Sequence, residues 1–181
     1  MPSTRERAVA SAIELLGTRG LRALTHARVD EAAGLPPGST SNSFRTRAAL
    51  LEGVADEIVR IELSGVGEPE VPDTADDVID LLSRTLELAT GQGRVLTTAR
   101  VVLFAEASHD ERLRALLDRG RAAMEGWMAV LLRRFDVSDP AAAGAALMAC
   151  YEGLMLHRIA RHDTTDPRPT FELVVRAALA R

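Results

Sequence analysis

Lysine is absent from this chain, cysteine occurs once, and aromatic residues fill only 3% of its 181 positions. Each shortage excludes something. A single thiol, Cys150, allows neither an intramolecular disulfide nor a thiolate zinc cluster. No segment approaches the roughly 18 uninterrupted apolar residues of a membrane-spanning helix. The opening MPSTRERAVA lacks the apolar stretch of a secretory signal. A cytoplasmic protein with no membrane partner is expected. No run of four or more β-branched and aromatic residues occurs, so strands have nothing to grow from. HExxH, G-x-S-x-G, phosphate-loop and paired-carboxylate motifs are missing too. No cofactor, no metal and no catalytic residue is therefore assigned. A small α-helical enzyme built on His109, Cys150, His157 or His162 stands as the weaker alternative.

What is present is alanine, leucine and arginine. Hydrophobic residues make up 46% of the chain, enough to bury a core. Ala and Leu carry most of that fraction, and both favour helices. All 22 basic residues are arginine. The net charge of −4 is unevenly spread: residues 1–50 hold seven Arg against four acids, a net +3, and residues 51–181 hold 15 Arg against 22 acids, a net −7. Only the first fifty residues suit an anionic partner.

Apolar residues recur at helical spacing along nearly the whole chain, which predicts an all-α fold of about nine helices. Val9, Ala12, Ile13 and Leu16 mark the first helix, with Gly17 and Gly20 expected to end it. Thr25 suits the N-cap of a second, and Gly34 its C-terminal glycine. Thr46 caps another, with Leu50, Val54, Ile58 and Ile61 on one side. The clearest break is Ser64-Gly-Val-Gly-Glu-Pro-Glu-Val-Pro72, where two Gly and two Pro interrupt any helix. Asp73 or Thr74 caps the next helix, Gly91 and Gly93 end it, and Asp139-Pro140 opens a later one with Pro in its first turn. Thr164 to Pro169 reads as a turn before a last helix through Phe171, Val174 and Val175.

After the second of these helices comes Gly34-Leu-Pro-Pro-Gly-Ser-Thr-Ser-Asn-Ser-Phe44. A short third helix in its polar run is separated from the second only by Gly34-Leu35 and the prolines, which is helix-turn-helix spacing. Leu35 and Phe44 are the large apolar residues that bracket the polar run, and both can pin it to a core of Val9, Ile13, Leu16, Val29 and Leu50. Pro37 suits the first helical position, and the following five residues then make about one and a half turns of helix. Small side chains let the backbone approach a groove closely, and hydroxyls and an amide can bond phosphates or base edges.

These residues resemble the TetR family of bacterial transcriptional regulators. The resemblance is carried by Gly20-Leu-Arg-Ala-Leu-Thr25, Val29-Asp-Glu-Ala-Ala-Gly-Leu35, Gly38-Ser-Thr-Ser-Asn-Ser-Phe44 and Arg47-Ala-Ala-Leu-Leu51, within roughly residues 5–55. It implies a helix-turn-helix DNA-binding domain over 1–48 and a helical ligand-binding and dimerisation domain over 49–181, joined by a linking helix at about 46–63. The implied DNA-contacting residues are Thr25 at a phosphate, Pro37, Gly38, Ser39, Ser41, Asn42 and Ser43 on the recognition helix, and Arg47 at the backbone. His26 and Arg28 are further DNA candidates from their place on the second helix. Each has an ordinary alternative: solvent for His26, and a local pair with Asp30 or Glu31 for Arg28. Arg5, Arg7 and Arg22 are as readily surface charges as phosphate contacts. Two positions depart from the family pattern: Ser41 stands where Tyr is usual, and Ser43 where His or Tyr is frequent. Thr40 occupies a position that is often apolar.

For the larger domain the ligand-binding candidates are Leu82, Leu86, Arg100, Phe104, Met124, Trp127, Met128, Tyr151 and Met155, with ordinary core packing as the competing account of each. Arg100 sits in an apolar stretch and needs a partner: Glu106, Glu152, an anionic ligand, or solvent at the end of its stem. Small residues from Ala142 to Gly153 let helices approach closely. The resemblance places this helix, with Phe171, Val174 and Val175, at a two-fold homodimer interface. The function expected is a ligand-responsive regulator, a repressor in the family's usual mode. It binds a near-palindromic double-stranded DNA operator and is released by an unknown small-molecule effector. A helical adaptor that uses the Ala-rich helix to bind another protein is the alternative.

Overall fold

The computed structural model describes residues 1–65 and 72–180. Among them are nine α-helices, two 3-10 turns and no strand. The helices are α1 (Thr4–Arg19), α2 (His26–Ala33), α3 (Ser39–Ser43), α4 (Arg47–Gly65), α5 (Ala75–Thr90), α6 (Arg94–Ala107), α7 (Glu111–Leu132), α8 (Pro140–Ala160) and α9 (Arg168–Ala178). The predicted break over residues 64–72 lies, apart from its edges, outside the described residues. The chain forms two compact units that do not follow its order. One comprises residues 1–65 and 94–120, and the other, among the described residues, 72–93 and 121–180.

In the first unit α1 is the central post. Ser3 caps it and closes a capping box with Glu6, so two donors of that first turn are satisfied. Gly20, at φ 73°, ends it. Gly17 does not, contrary to expectation: it lies inside α1, and a Cβ there would stand 2.1 Å from the Val95 carbonyl oxygen. The reason for this glycine is contact, since α6 crosses α1 at that point. Ala8, Ala12 and Leu16 of α1 share one core with Leu24, Val29, Leu35, Phe44, Leu50, Val54 and Ile58, and with Ala99 and Leu103 of α6. Thr46 caps α4, accepting from the Ala49 N–H at 3.1 Å. The Phe44 ring lies on Gly53 of α4, where a Cβ would come within 2.5 Å of it.

The second unit is built on α5, the later part of α7, α8 and α9. Thr74 caps α5 in a box with Asp77, and Asp139 caps α8 ahead of Pro140, as the sequence predicts. The predicted turn over 164–169 is shorter than expected: α9 begins at Arg168 and holds Pro169 in its first turn. Phe171 is fully buried and stacks with Tyr151, their centroids 6.2 Å apart. Gly144 brings α8 down on Met128 and Leu132 of α7. Arg176–Asp76 and Arg168–Asp80 join α9 to α5, but both pairs are half-exposed and add little to stability.

Candidate nucleic-acid interface

The turn between α2 and α3 is closed by backbone chemistry first. Gly34 adopts the left-handed conformation (φ 60°, ψ 37°). Its N–H reaches the Glu31 carbonyl, and the Leu35 N–H reaches that of Asp30 at 2.8 Å. This is a Schellman ending, and the buried Leu35 supplies its hydrophobic contact. Arg7 then donates to the Ala33 and Gly34 carbonyls at 2.7 and 3.2 Å, a cation at the negative end of α2.

Pro37 lies outside α3, contrary to the expectation that it opens the helix. Gly38 is the N-cap at φ 89°, a left-handed conformation that a right-handed helix cannot contain, so α3 begins at Ser39. The five-residue helix has no side-chain cap of its own. It is held instead by Asp30. This buried carboxylate accepts from the Gly38 N–H at 2.8 Å, the Thr40 N–H at 2.8 Å and the Thr40 hydroxyl at 2.5 Å. Burial pushes the Asp30 carboxyl up. The Thr40 hydroxyl, the two N–H donors and nearby His26 outweigh it, so the group titrates below its usual range. Asp30 turns inward, so it is not the local partner that the alternative account of Arg28 offered. Thr40 is polar at an often apolar position because its hydroxyl serves this carboxylate.

What remains outward is small and polar. Pro37, Gly38, Ser41 and Asn42 are exposed, and Ser39 and Ser43 are half-buried. Thr25 caps α2 from the exposed side, accepting from the Arg28 N–H at 3.4 Å. His26 Nε2 donates to the Phe44 carbonyl at 2.7 Å and so fixes the end of α3. Arg5 donates to the Ser43 carbonyl at 3.2 Å and lies 4.2 Å above the Phe44 ring. Arg47 donates to the Leu21 carbonyl at 3.0 Å while its side chain stays exposed. The positioning roles of Asp30, Arg5 and Arg7 have no signal in the sequence. Their partners lie eight to 38 positions away, beyond any local spacing rule.

The nine ligand-binding candidates do not fall in one compact unit. Leu82, Leu86, Met128 and Met155 are buried in the second, where Met124, Trp127 and Tyr151 are half-buried. Arg100 and Phe104 belong to the first. There Arg100 lies 3.4 Å from Glu62, a partner outside those its own stretch suggests, and 5.0 Å over the Phe104 ring.

Residues 73–181 match the family model described as tetracyclin repressor-like, C-terminal domain. A solved structure from Rhodococcus sp., of a protein assigned to the TetR family of transcriptional regulators, is 26% identical, with 98% of each chain covered and a TM-score of 0.75. The multidrug binding protein EbrR, solved with ethidium, is 19% identical over 99% of this chain and 100% of its own, with a TM-score of 0.80. A TetR transcription regulator from Haloarcula marismortui is 15% identical over 97% and 96%, also with a TM-score of 0.80. The latter two likenesses are of fold alone. No curated protein matches the chain.

Proposed function

The chain belongs to the TetR family of transcriptional regulators, and from that premise we propose that it is a repressor, a homodimer that occupies a near-palindromic operator and leaves it when a small molecule binds. The observation that carries the DNA half is the arrangement at α3. Ser41 and Asn42 are exposed on a helix too short to hold itself, and a buried carboxylate holds it. Asn42 pairs with a base edge in the major groove. Pro37, Gly38, Ser39, Ser41 and Ser43 let the backbone sink towards phosphates. Thr25, Arg28 and Arg47 fix register on the duplex without reading sequence. His26 serves by holding α3.

Residues 1–48 act as the DNA-binding domain and 49–181 as the effector and dimerisation domain. EbrR has the same fold and was solved with ethidium, which supports a small organic effector here. Leu82, Leu86, Met124, Trp127, Met128, Tyr151 and Met155 are the side chains to receive it, with Arg100 and Phe104 less directly placed. For the homodimer, α8 and α9 leave a shallow groove of about 410 Å³ lined by Ala142, Ala146, Leu173, Val174 and Ala177. Two such faces bring two heads to half-sites one helical turn apart.

Fluorescence anisotropy with the intergenic DNA upstream of its gene tests the proposal across a salt series. One fragment is expected to bind well above random DNA. An effector coupled by about 1–3 kcal/mol weakens that binding roughly 5- to 150-fold. Equal affinity for every fragment would remove the operator reading.

A further inference from the structure

Of the seven arginines in the first fifty residues, Arg45 is exposed, makes no side-chain hydrogen bond or ion pair among the described residues and does not line the hollow described next, and the structure divides the other six. Arg5, Arg7 and Arg47 donate to backbone carbonyls. Arg19, Arg22 and Arg28 do not. Among the described residues their side chains make no hydrogen bond and no ion pair. All three are exposed, and they line one hollow of about 480 Å³ formed by the end of α1, the following 3-10 turn and α2. Glu31 is the single acid on its wall, so the lining carries a formal +2. Leu15, Ala23 and Ala32 complete the lining and add no charge.

The place of the hollow matters as much as its charge. One flank of α2 faces α3, through His26 to the Phe44 carbonyl and Asp30 to Thr40. Arg28, Glu31 and Ala32 are on the other flank. In a helix-turn-helix the first helix crosses the DNA backbone while the second enters the groove. A helix with its side chains is about 10–12 Å wide, and a strand advances about 3.4 Å per nucleotide. The far flank of α2 therefore meets phosphates roughly three base pairs beyond those under α3.

We propose that the Arg19–Arg22–Arg28 hollow is a second DNA contact, a clamp on the phosphodiester backbone flanking the base pairs that α3 reads. It rests on the head binding DNA as proposed above. Guanidiniums suit this task because their planar fork bonds phosphate oxygens in pairs. The clamp adds affinity and salt dependence and adds no sequence preference.

The test uses the full chain and the tightest-bound fragment of its upstream intergenic DNA, trimmed to the base pairs that α3 reads or extended by several base pairs at each end. Wild-type protein should bind the extended duplex more tightly than the trimmed one. An Arg19→Ala/Arg22→Ala variant should bind both alike. Its log–log salt slope should be shallower by about 0.9 for each phosphate that it no longer neutralises. With two such phosphates per head, a dimer of wild type should lose roughly a hundredfold more affinity than the variant between about 50 and 200 mM salt. Arg19→Lys/Arg22→Lys should restore the slope. Both arginines are exposed and make no pair within the described chain, so thermal melts should coincide with wild type; if the double variant melts early, Arg22→Gln carries the same measurement. Wild-type affinity and slope in the alanine variant, with specific binding still weakened in Asn42→Ala, would overturn the clamp and leave the DNA reading standing. Wild-type protein that binds neither duplex above random DNA would remove both.

Discussion

Asp30 lies buried beneath α3 and Asn42 stands exposed on it, and each matters for a different reason. Asp30 supplies acceptors to three donors at the N-terminal turn of α3. Asn is the same shape but replaces one oxygen by a donor, so Asp30→Asn leaves at least one of these groups unpaired inside the protein. The head should lose about 1–3 kcal/mol by denaturant unfolding. The sign with pH follows from the lowered titration of the carboxyl. Its stabilisation is fully present above the unfolded-state value and is lost as pH falls through the folded one. The gap between wild type and Asp30→Asn should therefore narrow in acid, and a gap that widens there would contradict this assignment. Asn42→Ala should leave the melt unchanged and weaken specific binding by about 1–3 kcal/mol, with little effect on random DNA. Equal weakening on both would mean that Asn42 does not read bases.

At the scale of elements, two helical glycines that look alike in sequence have opposite surroundings. Gly17 is where α6 lies on α1, with no room for a Cβ beside the Val95 carbonyl. Gly126 of α7 has open space where its Cβ would be. Gly17→Ala must push backbone against backbone and should destabilise by about 1–3 kcal/mol. Gly126→Ala should stabilise by about 0.5–1 kcal/mol, because alanine restricts the unfolded chain and fits the helix. Thermal unfolding of the two variants checks both signs. The same pair shows what the chain reveals before it folds. Caps are legible, since Thr25, Gly34, Thr46, Thr74 and Asp139 act within four residues of themselves. The small core around Leu35 and Phe44 is legible from its apolar spacing. Pro37 is not, because the left-handed Gly38 decides where α3 starts. The reason for Gly17 and the Glu62 partner of Arg100 are hidden as well, because both depend on a helix packed from elsewhere in the chain. Local rules reach one turn of helix, and the positioning of α3 is non-local.

For the whole molecule, the function proposed needs two heads, and a single chain supplies one. Leu173 is 74% exposed on α9, beside the small-residue groove against α8. A large apolar side chain there is costly in water and useful against a second copy. Leu173→Glu changes no buried packing within the chain, so the melt of the isolated protomer should hold. Across a two-fold axis, however, each glutamate would meet apolar surface and its own symmetry mate, which costs both desolvation and repulsion. Light scattering at dilute concentration should show a dimer for wild type and a monomer for Leu173→Glu. Separating the dimer should also lower operator affinity far more than affinity for a half-site, because linking two heads raises the effective concentration of the second by orders of magnitude. A variant that stays dimeric would place the interface elsewhere. A variant that is monomeric but binds the full operator as wild type does would show that one head is enough, and the two-fold operator would then have no physical basis.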